Sequence, residues 1–247
     1  MSGSNKLPSI PLVISVLIKS GRTFYETLKY LVKHLKDAGS STALSIITPM
    51  CLLAAKFDNT AWSIINKFHF VLFYAGWTIR DGTGAREYKQ FEDHLLQIES
   101  TCRFAREELV PAIKGNLDRI ELPLVSELRG SYGLETFLRF IKHIPGFWSV
   151  RIDLLDDIPD IISSIYNSCR TMMTCLDCVE QYSRLIQTRF QDKEWVSQHQ
   201  GRPDLIWCLS ATRSSVTDLL PGLRCHRDLE VYLSGYVNLV SFNLAGF

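Results

Sequence analysis

At 247 residues the chain is long enough for one large domain or two small ones, with a substantial buried core. Its 46% hydrophobic and 21% charged residues are ordinary for a folded protein and argue against long disorder. With 27 Lys and Arg against 26 Asp and Glu, the net charge of +1 argues against a general nucleic-acid binder, which concentrates a basic excess on one face.

The chain opens on Lys6 and an apolar run, 10–18, interrupted near its start by Pro8 and Pro11. Because Ile18-Lys19-Ser20-Gly21 lacks a small-x-small cleavage pattern, the run is not expected to be a cleaved signal peptide. A helix is predicted over 20–38, with Phe24, Leu28, Leu31 and Leu35 on one face. Arg22, Lys29, Lys33 and Lys36 lie on the other, and Gly39 stands at its end. The result is a short basic amphipathic helix, a type found in soluble bundles and at membrane surfaces.

A second apolar stretch, 43–57, contains Pro49, expected to kink or restart the helix, and is too short to span a bilayer. Asp58-Asn59-Thr60 is expected to cap the helix after it. That helix, 61–79 (AWSIINKFHFVLFYAGWTI), has nearly the length of a bilayer span, about 20 residues. Lys67 in its middle costs roughly 2.5–3.5 kcal/mol on insertion scales, and Asn66 and His69 add to that. It reads as a buried or membrane-embedded helix of marginal hydrophobicity.

After the turn at 81–84 comes the clearest periodicity in the chain: Tyr88, Phe91, Leu95, Ile98, Cys102, Ala105 and Leu109 alternate spacings of three and four. This helix wants another helix against its seam, and Pro111 with Gly115-Asn116 is expected to close it. Residues 117–128 read as a connection with helical turns, interrupted by Pro123, and 134–144 as a short helix ended by Pro145-Gly146 and followed by Phe147-Trp148. Asp153, Asp156, Asp157 and Asp160 are expected to sit at the positive end of a long helix, 161–190, with Ile162, Ile165, Cys169, Met172, Leu176, Val179 and Ile186 on its seam. Residues 191–203 read as an exposed linker, 204–220 as a helix, and 231–247 as an uncharged tail that either packs or enters a membrane weakly. Strand signals are poor throughout, so the predicted class is all-α: a helical bundle with amphipathic helices and marginally hydrophobic ones, buried or membrane-embedded. Its regions are 1–115, 116–200 and 201–247.

No arrangement in the chain carries a catalytic fingerprint. The seven cysteines are odd in number and lie in apolar segments, which suits a reducing compartment. Cys175-Leu176-Asp177-Cys178 has no second pair with which to complete a zinc site, and its thiols are expected to pack in a seam. The six histidines are dispersed, and Gly82-Thr83-Gly84 lacks the lysine of a phosphate loop. Neither catalysis nor a metal or other cofactor is expected.

The order of features nevertheless resembles one family. Ser20-Gly21-Arg22 followed by Leu28-Lys29-Tyr30-Leu31 and Leu35 is similar to the Gly-Arg opening of a basic amphipathic helix in the peroxin eleven proteins of peroxisomal membranes. Phe73-Tyr74-Ala75-Gly76-Trp77 before a charged turn is similar to the family's tryptophan-bearing segment, and Arg106-Glu107-Glu108 to the end of its next helix. Thr217-Asp218-Leu219-Leu220-Pro221 and Leu233-Ser234-Gly235-Tyr236 resemble its Asp-Leu-x-x-Pro step and glycine-containing terminal segment.

That resemblance implies a non-catalytic protein of the peroxisomal, or in kinetoplastids glycosomal, membrane that elongates the organelle and helps divide it. It further implies that Arg22, Phe24, Leu28, Lys29, Leu31, Lys33, Leu35 and Lys36 contact membrane lipids, burying the apolar face about 5–10 Å deep and wedging one leaflet. Self-association would run through Tyr88, Phe91, Leu95, Ile98, Cys102 and Leu109, with organelle-division machinery as a further partner and no nucleic acid. The competing expectation is a soluble, cytoplasmic all-α interaction or adaptor protein with every apolar stretch internal. A helical enzyme ranks third.

Overall fold

The computed structural model describes residues 7–37, 41–82, 86–139 and 149–224, and among them there is no strand. The order is α1 (Ile10–Asp37), α2 (Ser41–Asp81), α3 (Arg86–Phe104), a π-helical turn (Ala105–Leu109), α4 (Val110–Arg139), α5 (Ser149–Gln191), α6 (Lys193–His199) and α7 (Pro203–Arg224). The fold is an all-α helical bundle. Among the described residues no helix is long and apolar enough to cross a membrane. The tail at 231–247, the Phe147-Trp148 pair and the turn residues Thr83 and Gly84 lie outside the described residues.

The helices are longer than the sequence pattern suggests, and each extension has a physical cause. α1 begins at Ile10 because Pro11 falls in its first turn, where a missing N–H costs nothing, and Ile10, Val13, Ile14 and Leu17 carry its buried face on to Phe24. α2 runs unbroken through both Pro49 and Asp58-Asn59-Thr60. Pro49 lies on the exposed side, where a freed carbonyl can reach water. At 58–60 the weak capping signal loses to a continuous apolar stripe, with Phe57, Ala61, Ile64, Ile65 and Phe68 all buried.

The expected stop at Pro111 becomes the first turn of α4, directly after the π-helical turn has broken the regular ladder. At 117–128 the expected helical turns are joined into one continuous helix, because Ile113, Leu117, Ile120 and Leu124 form a buried stripe and Pro123 is exposed. Asp157 and Asp160 lie inside α5, which begins at Ser149, so they do not cap it. The expected linker contains α6, whose N-cap Asp192 accepts from the Trp195 N–H at 3.0 Å while Val196 buries its side chain.

The chain gathers into two compact units. The first contains α1 up to Gly21, Phe57–Glu108 and α5 from Thr171 through α7. The second contains Arg22–Lys56 and the described parts of Leu109–Arg170. In the first, α2 ends at Gly82, which has a positive φ of 86° and donates its N–H to the Thr78 carbonyl at 2.8 Å. Gly201, at φ 71°, donates to the Ile79 carbonyl at 2.8 Å and so ties the start of α7 to the end of α2. Gly82→Ala is expected to lower stability by about 1–2 kcal/mol, the strain of a left-handed non-glycine residue, measured by urea denaturation.

Candidate membrane-contact surfaces

The amphipathic helix proposed for lipid contact lies in the second unit, folded with its apolar face inward. Phe24, Leu28, Leu31 and Leu35 are all 0% exposed, alongside Tyr25 and Val32. The Tyr25 hydroxyl donates to the Ala54 carbonyl of α2 at 2.9 Å, which pins this face against its neighbour. Arg22, Lys29 and Lys33 are exposed, and the side chain of Lys36 lies outside those described. The set expected to face the membrane therefore divides: Arg22, Lys29 and Lys33 meet solvent, and the four apolar members do not.

The outer side of this helix is also less purely basic than its sequence. Arg22, Thr23, Glu26, Thr27 and Tyr30 line a groove of about 640 Å³ together with Asp157, Asp160, Ile161 and Ser164 of α5. Three carboxylates thus stand around Arg22, and none of the three makes an ion pair with it. Two of them come from a helix more than 120 positions away, which no local pattern on α1 could reveal.

The residues expected to carry self-association lie largely inside the packing of the chain itself: Phe91, Leu95, Ile98, Cys102 and Leu109 are buried and Tyr88 is half-buried. In the first unit α5 of the same chain fills the seam. The Phe91 and Phe190 rings lie 5.1 Å apart, Tyr88 Oη donates to the Phe190 carbonyl at 3.4 Å, and Cys102 Sγ lies 3.9 Å from the Leu176 carbonyl.

Charge locks the same contact. Arg106, carried on the π-helical turn, reaches Asp177 at 2.6 Å and also Glu180, whose side chain is only 5% exposed. Arg184 holds the other oxygen of Glu180 at 2.7 Å. The thiols sit in this packing as hydrophobes: burial pushes Cys102 and Cys169 up to about 12 and Cys175 to about 11. Among the described residues no group of three or more His, Cys, Asp or Glu could hold a metal ion.

A surface that the sequence reading did not single out as a site lies along α2. Its inner face, Ala61, Ile64, Ile65, Phe68, Val71, Leu72, Ala75 and Ile79, is buried in the first unit. Its outer stripe, Phe70, Phe73, Tyr74 and Trp77, is partly exposed. Phe73 lies 5.2 Å from Tyr74 and 6.2 Å from Trp77, centroid to centroid. His94 of α3 stacks on Phe70 at 5.3 Å and on Tyr74 at 5.7 Å.

Cations flank these rings. Lys67 Nζ donates to Thr101 Oγ1 at 3.3 Å, and the Arg213 guanidinium of α7 lies 4.5 Å over Phe73 and donates to His69 Nε2 at 3.2 Å. Arg80, paired with Asp81, lies 3.5 Å over Trp77. The segment 61–79 contains no Asp or Glu, the composition that could have marked this surface in advance.

Both histidines are held below the ordinary 6.5: His69 by burial and then Arg213, His94 by burial and then Lys67, with Asp93 opposing. Their Nδ1 atoms are buried without a partner among the described residues. The unfolded chain therefore binds protons that the folded chain refuses. The stabilising contribution is complete above about pH 6.5 and is lost as pH falls below it. The melting temperature is expected to fall on acidification from about pH 7.5 to 5.5, and the His69→Gln, His94→Gln double variant to show a shallower dependence.

Comparison of the chain with models of known protein families, with curated proteins and with solved structures finds no match.

Proposed function

We propose that the chain is a non-catalytic protein that acts on the surface of the peroxisomal or glycosomal membrane, promoting its elongation and division, as the resemblance to the peroxin eleven proteins implies. The observation that carries this reading is the two-sidedness of residues 22–35, with Arg22, Lys29 and Lys33 exposed and Phe24, Leu28, Leu31 and Leu35 fully buried on the opposite face. Such a helix can reach an anionic surface with its cations while the bundle stays closed.

Insertion requires it to leave the core, where each buried apolar side chain contributes about 1.5–3 kcal/mol. An acyl boundary accepts the same side chains, so the exchange is nearly balanced. Attraction of roughly 1 kcal/mol per cation near an anionic surface then decides the direction.

The test is tubulation of phosphatidylserine-containing vesicles by the full-length protein and by an Arg22→Glu, Lys29→Glu, Lys33→Glu variant. The wild type is expected to deform vesicles, and the variant to lose most of that activity while keeping its helical circular dichroism. Undiminished tubulation by the variant would reject the wedge.

The burial of the apolar face of α1 and of all but Tyr88 in the α3 seam favours a second reading, an all-α interaction or adaptor protein with no membrane role. It expects the wild type neither to bind nor to deform vesicles of any composition.

A further inference from the structure

We infer that the outer stripe of α2, Phe70, Phe73, Tyr74 and Trp77 with Lys67 and Arg213, is a seat for an anionic phospholipid surface, on which α2 lies parallel to the membrane plane. The inference rests on the membrane reading above and moves the anchoring contact from α1 to α2. It is distinct from a wedge because nothing has to unfold for it to form.

The first argument is orientation. The opposite face of the same helix is core, with Ile64, Ile65 and Val71 at 0% exposure, so residues 61–79 cannot be surrounded by lipid while the unit remains folded. One face in protein and one partly exposed leaves a position along an interface as the membrane placement compatible with the fold.

The second is composition. An outward helix face normally carries charges of both signs, as α3 does with Lys89, Asp93 and Arg103 exposed. The outer stripe of α2 carries aromatic rings at i, i+3, i+4 and i+7, the residue types that concentrate where hydrocarbon meets headgroups. From Lys67 to Trp77 the helix rises about 15 Å, so the rings form a row rather than a point.

The third is charge. Among the described residues, neither Lys67 nor Arg213 forms an ion pair. Their partners are a threonine hydroxyl, an imidazole nitrogen and a ring face. A lysine in this position is costly in a bilayer core but suits a headgroup plane, where its stem lies along the rings and its ammonium meets phosphate. Asp93 of α3, the one carboxylate acting on His94, is exposed at the flank and leaves the two cations in excess. The occupant that matches a row of rings bordered by unneutralised cations is an anionic bilayer.

The test is flotation of the full-length protein with phosphatidylcholine vesicles, with and without phosphatidylserine. Wild type is expected to float with the anionic vesicles. Lys67→Gln with Arg213→Gln should lower the apparent affinity on the order of 10- to 30-fold. Lys67→Arg with Arg213→Lys should restore it, and Lys89→Gln with Arg189→Gln should leave it unchanged. Trp77→Gln, checked for retained circular dichroism, should weaken binding as well.

If wild type does not float at all, the membrane reading itself falls. If it floats and only the α1 charge reversal weakens it, the α2 seat is wrong while the membrane reading stands. If the charge pair matters but Trp77→Gln does not, the contact is electrostatic alone and the seat is likewise rejected.

Discussion

Leu28→Ala and Leu31→Ala are each expected to destabilise the protein by about 2–5 kcal/mol, the range for deleting a fully buried leucine side chain and leaving a cavity. Both residues are 0% exposed on the inner side of α1. Because they share one helix face and one core, the double variant should depart from the sum of the single ones. Denaturant unfolding followed by circular dichroism measures the effect. A change of only a few tenths would mean that this face is not packed as described, and a helix that rests on the surface with its apolar side open would show just that. The same measurement bears on function, since a helix held by several kilocalories leaves the core only where another apolar medium receives it.

Arg106→Met is expected to cost about 1.5–3 kcal/mol, the range for hydrogen bonds to charged groups. Glu180 is the reason: its side chain is 5% exposed and relies on Arg106 and Arg184. Removing Arg106 leaves a buried carboxylate with one partner, while Asp177, more open to water, loses little. Arg103→Met, which breaks an exposed pair with Glu99, should cost less than about 0.5 kcal/mol. A double-mutant cycle with Glu180→Gln isolates the coupling. A value near zero would mean that packing alone fixes the contact between α3 and α5.

The core of this fold was legible wherever one apolar face repeats without interruption. The seam of Phe91, Leu95, Ile98 and Cys102 and that of Ile165, Cys169, Leu176 and Val179 are buried where their spacing puts them. What sequence reading misjudged were the punctuators. Pro11, Pro49, Pro111 and Pro123 looked like breaks, yet each sits in a first turn or on an exposed side, where its missing hydrogen bond is cheap. Asp58-Asn59-Thr60 resembled a cap because capping is local, whereas burial of Phe57 and Ala61 is decided by distant helices.

The candidate sites were legible to a lesser degree, for the same reason. An amphipathic face announces that it will be buried without naming what buries it. Phe24, Leu28, Leu31 and Leu35 could serve lipid or protein equally, and the closed bundle gives them to protein. The mixed charge around Arg22 comes from Asp157 and Asp160, far away in the chain. Residues 61–79 were the reverse case. Their aromatic content and lone Lys67 suggested an awkward span, and the structure resolves the awkwardness by giving the helix two faces, with Lys67 on the outer one beside Thr101.

A protein that works at an organelle membrane, as proposed, co-sediments with it. In density-gradient fractionation of cells expressing the full chain, read against a peroxisomal or glycosomal membrane marker, the protein is expected to migrate with the marker, and Lys67→Gln with Arg213→Gln to shift it toward the supernatant. Wild-type protein found wholly in the high-speed supernatant, folded and apart from the marker, would contradict the proposal.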